Sequence, residues 1–250
     1  MIRGLYTSAL GMNAAQTQSE IIGDNIANVQ TPGYKEQVGV AKAFPTILVE
    51  RIGANSEPSA VPIGAMGTGV SVNNVALTNV MGALQTTGKK TDFALTTLGY
   101  FVVQTPGGDR YTRDGHFQIN SQGMLQTPDG YPVLGQNGPV GPLTANFTVS
   151  SKGTITDNGK TVDQLRVVQI PANALQRQGQ SLYSATQPAQ ATAAPGSINI
   201  VQGSVEASNV DISGQMVQMI TVMKAYEANQ KVIQTEDNML NEAANQVGKI

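Results

Sequence analysis

Stepping by four and three residues from Ile212 lands on Met216, Met219, Met223, Tyr226, Gln230, Ile233, Asp237, Leu240, Ala244 and Val247, and nine of these eleven positions are apolar. A stripe sustained at that spacing for about five heptads predicts a long amphipathic helix with a coiled-coil seam. Asp211 or Ser213 is placed to cap its start, and at about 1.5 Å per residue it would reach roughly 54 Å. Gln230 and Asp237 interrupt the stripe, and polar residues in a seam can fix its register. A weaker copy of the pattern lies at the other end of the chain. Between residues 3 and about 30 the same spacing picks out Leu5, Ala9, Met12, Gln16, Ser19, Gly23 and Ile26, with Ile22 and Val29 also in helical phase. Pro32 disfavours helical geometry at Thr31, and Gly33 accepts positive φ cheaply, so this helix is expected to end near Val29.

The middle of the chain has another rhythm. Residues 81 to about 205 are short runs of Phe, Val, Tyr, Leu and Ile cut by Pro-Gly-Gly, Asp-Gly, Gln-Gly and a second Asp-Gly. Alternation in "HFQIN" and "GMLQT" suits half-buried strands joined by tight turns. Residues 36–80 are mixed, with "ANSEPSAVPIGAMGTG" read as irregular linker. The stretch Ser184–Ser197 is low in complexity and is expected to be an exposed loop.

A helical stripe needs an apolar partner, and the two helices stand at opposite ends of the sequence. They can pair only if the β region loops out between them. The fold class expected is therefore α+β: long N- and C-terminal helices pair as a coiled coil, with a central all-β domain of short strands inserted. The division is residues 1–35 with 207–250 as the helical part, 36–80 as a linking segment, and 81–206 as the β domain. The N-terminal stripe is too poor to cover the C-terminal one, and uncovered apolar surface on a long helix marks a protein interface. The residues expected at subunit interfaces are Leu5, Met12, Ile22, Ile26, Val29, Ile212, Met216, Met219, Met223, Tyr226, Ile233, Leu240 and Val247.

Composition narrows the chemistry. The net charge of −2 gives no footprint for nucleic acid or an anionic membrane surface, and charged residues are only 13% of the 250. Asn and Gln outnumber them, which suits packing against identical copies. Without cysteine there is no disulfide, thiolate nucleophile or Cys-based metal site. No apolar run approaches the roughly 20 residues of a membrane span, so no membrane insertion is expected. The N-terminus has no convincing cleavable signal peptide. His116 is the sole histidine and reads as a surface or packing residue. Asp109, Arg110, Arg113 and Asp114 resemble an acid/base cluster, but alternating Asp and Arg beside hairpin turns more simply predicts local salt bridges and turn capping. The methionines of the stripe suit adaptable packing rather than metal binding. No cofactor and no enzymatic activity are expected.

Three segments carry a specific resemblance. "LYTSALGMNAAQTQSEIIGDNIANVQTPGYK", with Asn25, Asn28, Thr31, Gly33 and Tyr34, is similar to the rod signature of the bacterial flagellar rod and hook family. "GYFVVQ…DRYTRDGHFQINSQGMLQTPDGYPVLG" resembles the family's core β domain. "GSVEASNVDISGQMVQMITVMKAYEANQKVIQTEDNMLNEA", with Ser208, Asn209 and Val210 and with Ala225-Tyr226-Glu227-Ala228-Asn229, resembles its closing segment. Ser181-Leu182-Tyr183 departs from the usual Asn-Leu-Tyr, and Val205 from a common Leu. The resemblance implies an inner tube of packed terminal helices and an outer layer of β domains. It implies termini that order on assembly, and export through the central channel by the flagellar type III apparatus. Partners would be further copies of the chain, other rod proteins and the hook protein, in the basal body. Length points to the longer rod proteins and leaves the distal and the proximal member both open. The alternative from another class is an exported β-rich cell-wall glycan hydrolase, with the helices as a docking stalk.

Overall fold

The computed structural model describes residues 2–51, 61–171, 174–179, 181–186 and 198–247. The fold is α+β: one helix near each end of the chain, with many short antiparallel strands between them. Helix α1 spans Ile2–Ala27 and α2 spans Ile212–Val247. α1 stops two residues before the expected Val29. The amides of Asn28 and Val29 donate to Asn25 O and Ile26 O, three residues back, so the last turn tightens as it ends. Asp211 directly precedes α2, at the capping position.

The chain divides into two compact units. The first comprises Met1–Asp24, Gln37–Ala76 and Ser213–Ile250. Within it α1 and α2 run antiparallel: Gly4 lies against Glu236, Gly11 against Asn229, and Ser19 Oγ donates to Met219 Sδ at 3.2 Å. Strand Gln37–Ala43 pairs with Val70–Leu77, and Ile47–Arg51 pairs antiparallel with Val61–Met66. The region read as linker thus carries four strands where it is described; its residues 52–60 lie outside the described part, as do 187–197 of the expected loop.

The seams differ from those the periodicity implied. On α2 the residues withdrawn from solvent are Gln215, Met219, Val222, Asn229, Ile233 and Glu236. Ile212, Met216 and Met223 are instead 40%, 50% and 54% exposed, and Gln230 and Asp237 are also exposed. The buried seam runs one residue before the predicted one at every other step. On α1, Ala9 and Gln16 are exposed, while Leu10 reaches Gly69 and Ile21 packs against Gly39 beside Val72. The cause is that α1 serves two partners. Its small residues face α2, and its larger ones face the strands, so no single stripe describes it.

The second unit comprises Asn25–Glu36 and Leu77–Ile212. Its largest sheet orders Val167–Val168, Tyr100–Thr105, Gly108–Thr112, Leu182–Ala185 and Leu175–Arg177. Strand Thr154–Asp157 returns as Lys160–Gln164 through Asn158 and Gly159, with φ of 49° and 76°. Two successive positive φ values suit the right-handed twist of the strands, and Asn followed by Gly accepts them readily. The main core gathers Phe93, Phe101, Phe117 and Phe147, with ring centroids 5.4–6.2 Å apart. Offset and edge-on packing at that spacing is favourable for aromatic rings.

Candidate functional site

Within the second unit, the two signature segments meet. Thr31 N and Oγ1 both donate to Asn28, its carbonyl at 3.1 Å and its Oδ1 at 3.2 Å, closing the turn after α1. Gly33 follows with φ of 68°, its Cα pressed so closely on the backbone of Arg113 and Asp114 that no Cβ fits. Both the left-handed conformation and the close approach require glycine. Gly33 N then donates to Glu206 O at 2.7 Å. Tyr34 is fully buried: its hydroxyl donates to Asn25 Oδ1 at 3.1 Å, and the Arg177 guanidinium lies 4.9 Å from the ring centroid. That distance is within cation–π range.

Asn209 ties the closing segment to this turn. Its Oδ1 accepts from Glu36 N at 2.7 Å, and its Nδ2 donates to Thr78 O and Val80 O at 3.2 and 3.0 Å. Ser208 Oγ accepts from Val210 N at 3.3 Å, and Val210 is buried. One side-chain amide thereby fixes backbone from two distant parts of the sequence. An aspartate could not make the two donations.

Beneath these contacts lies a buried ionic triad. Glu206 Oε1 accepts from Lys35 Nζ at 2.6 Å and from Gly82 N at 2.8 Å, while Oε2 accepts from Arg113 Nε at 2.5 Å. All three side chains are about 1% exposed. Lys35 Nζ also donates to Val80 O, and Arg113 donates to Gly99 O and Leu95 O. Two cations share one carboxylate, so burial lowers the Lys35 pKa, Glu206 partly restores it and Arg113 opposes it further. Nearby, burial pushes the Tyr100 hydroxyl up to about 12.

The apparent acid/base cluster resolves into structural roles. Arg113 belongs to the triad, paired across 93 residues rather than locally. Asp109 meets Arg166 at 3.5 Å with both side chains partly exposed. Asp114 Oδ1 accepts from His116 N at 2.9 Å, the turn-capping role expected, and His116 Nδ1 stands 3.1 Å from the buried Asp92 Oδ1. Burial raises Asp114 to about 6. Among the described residues no group of side chains is placed to hold a metal ion. Nothing here supports the glycan hydrolase alternative.

Within the first unit, α2 carries an exposed apolar face. Met216, Val217, Ile220 and Met223 are 50–64% exposed on α2. Met223 and Tyr226 also line a groove of about 430 Å³ between α2 and α1, with Ala15 and Ser19 on the far wall. Of the other expected interface residues, Ile22 is buried, and Leu5, Met12, Ile26, Val29, Met219 and Ile233 are partly covered within the chain. Tyr226 and Leu240 are each 36% exposed, and the side chain of Val247 lies outside the described residues. Lys35 and Glu206 were not singled out from the sequence. Their signal was faint: two charges adjoining signature residues in a chain with few charges.

The comparisons agree with this geometry. Residues 5–35 match the family described as flagella basal body rod protein, 94–217 the flagellar hook protein FlgE/F/G D1 domain, and 201–247 the flagellar basal body rod FlgEFG protein C-terminal. The chain is 35% identical over 271 residues to the flagellar hook-basal body complex protein FlhO of Bacillus subtilis, covering all of both chains. It is 34% identical over 254 residues to the flagellar basal-body rod protein FlgG of Buchnera aphidicola subsp. Acyrthosiphon pisum, covering 96% of this chain and 98% of that one. Against FlgG of Bacillus subtilis the identity is 32% over 268 residues, with 98% and 99% covered. Among the described residues no helix is long and apolar enough to cross a membrane. The chain belongs to the flagellar basal-body rod protein family and is a structural component of the basal-body rod.

Proposed function

We propose that the chain polymerises helically with copies of itself into the shaft that carries motor torque to the hook and filament. Its neighbours along the shaft are other rod proteins and the hook protein, and it leaves the cell through the flagellar type III apparatus. It has no enzymatic role. The division proposed is a helical part of residues 1–35 with 207–250, a β domain of 81–206 and a joining segment of 36–80, of which residues 37–76 fold in the same compact unit as the two helices. The observation that carries this reading is the exposed apolar face of α2, where Met216, Val217, Ile220 and Met223 stand open to solvent. A family of structural rod proteins supplies the context, and burial of such a face against a neighbour is the ordinary source of association free energy. Ile212, Met216, Met223 and Tyr226 are the interface residues available to a neighbour. Leu5, Met12, Ile22, Ile26, Val29, Met219, Ile233, Leu240 and Val247 complete the proposed set, several of them through the packing of the chain itself.

The test is Ile220→Asp and Met216→Asp in the full chain, with assembly followed by sedimentation and electron microscopy and folding by circular dichroism. Loss of polymers with an unchanged monomer spectrum is the expected result. Normal polymers from both variants would remove the proposal's main support. Met219→Asp or Ile233→Asp perturbs partly covered seam positions instead, and should disturb the monomer's helices as well as assembly.

A further inference from the structure

The α2 seam has a weakness that its own periodicity creates. Met219, Tyr226, Ile233 and Leu240 recur every seven residues; Met219 and Ile233 are partly covered and Tyr226 and Leu240 are 36% exposed, so sliding α2 by one heptad along α1 sets a similar apolar side chain at each covered position. Hydrophobic burial alone discriminates poorly between such alignments. Two polar residues of the seam break the degeneracy. Asn229 and Glu236 are themselves one heptad apart, and each stands over a glycine of α1. A Cβ built on Gly11 would come within 2.9 Å of Asn229 Nδ2, and one on Gly4 within 2.5 Å of Glu236 Oε1. The two glycines are also seven residues apart. Continuing the step brings Gln18 level with Val222, and Gln18 offers no such recess. Gly4 sits in the first turn of α1, where a carboxylate is favoured by the free amides and the helix dipole.

We infer that Asn229 over Gly11 and Glu236 over Gly4 form a two-point register lock that selects one antiparallel alignment of α2 on α1. Sliding α2 by a heptad toward the C-terminal end of α1 carries Asn229 onto Gln18, and moves Glu236 from the first turn of α1 to its middle. There the backbone amides are already bonded within the helix. Sliding it the other way leaves Glu236 with no glycine beneath it and sets Val222 over the recess at Gly11. Only the observed alignment fills both recesses with both polar groups. The lock belongs to a single chain and does not depend on how copies assemble.

The chain contains no cysteine, so introduced pairs report alignment without background. Ser19→Cys with Met219→Cys marks the observed register, and Ser19→Cys with Tyr226→Cys marks the slipped one. Dibromobimane, a short thiol crosslinker that fluoresces when doubly reacted, is applied to dilute full-length monomer. In the otherwise unaltered chain the first pair should couple at least about tenfold more than the second: Asn229 keeps its own-helix bond to Ala225 O in either register, but slippage presses it against Gln18 instead of the recess at Gly11 and takes the Glu236 carboxylate away from the first turn of α1. Adding Asn229→Leu and Glu236→Leu should bring the two yields within about threefold of each other. Gln18→Gly, which opens a third recess while keeping both polar residues, should independently raise the slipped yield. If the leucine variant couples neither pair, the helices have parted, and Gln18→Gly alone decides. A slipped yield that stays at its original low level in Gln18→Gly and in any leucine variant that still couples overturns the lock.

Discussion

Replacing Glu206 by glutamine takes one negative charge from a site that holds two cations. Glu206 accepts from Lys35, Gly82 and Arg113, and its side chain is 1% exposed. Glutamine offers one acceptor oxygen where the carboxylate has two, and its NH2 group must face either the ammonium or the guanidinium, both donors. Neither cation can reach water, so the change leaves at least one buried charge uncompensated. Breaking a buried pair in this way costs about 3–5 kcal/mol. At roughly 2–4 °C per kcal/mol for a chain of this size, the melting temperature of the second unit should fall by about 6–20 °C. Near-ultraviolet circular dichroism suits the measurement, because the chain has no tryptophan and most of its tyrosines lie in that unit. Lys35→Met in the Glu206→Gln background should cost less than the sum of the single changes, since it removes one of the stranded charges. A loss below about 1 kcal/mol for Glu206→Gln, the size of an exposed ion pair, would refute the reasoning.

Other outcomes follow from neighbouring residues. Gly33→Ala adds a Cβ where the Arg113 backbone already lies, at φ of 68°, and should destabilise the second unit by at least about 2 kcal/mol in urea titration. Asp114 is raised from 3.8 to about 6 in the folded chain, mainly by burial, so the folded state holds its proton more tightly than the unfolded one. Its contribution is fully present below the unfolded value and is lost as pH rises through about 6; Asp114→Asn should flatten the stability profile between pH 4 and 7 by up to about 3 kcal/mol. Asn209→Asp keeps the acceptor for Glu36 N but loses both donations to Thr78 O and Val80 O, and should cost about 1–3 kcal/mol by the same titration. Hydrogen exchange on verified monomer should show the strands around Phe93 and Phe101 as the slowest segments, because they line the larger buried core.

Periodicity and turn chemistry are local properties, and they determined much of this protein. The stripe from Ile212 to Val247 specified a long helix there, because the 3.6-residue repeat is written along the chain itself. The hairpin at Asn158-Gly159 is local in the same way, since few other residues accept two positive φ values. Gly33 after Pro32 marked the end of α1 for a similar reason. The signature residues placed the chain in its family, since their order along the sequence needs no geometry.

Only the tertiary structure decided which face of each helix is covered. Met219 and Met223 have the same side chain and both lie on the predicted stripe, yet one meets Ser19 and the other is 54% exposed. The difference arises from Gly4 and Gly11, which let the helices approach along a line one residue away from the apolar stripe. Such close approach depends on both helices at once and cannot be seen in either alone. The triad is nonlocal in the same sense. Lys35, Arg113 and Glu206 come from three separate segments, and their charges become significant only when the fold excludes water from all of them together.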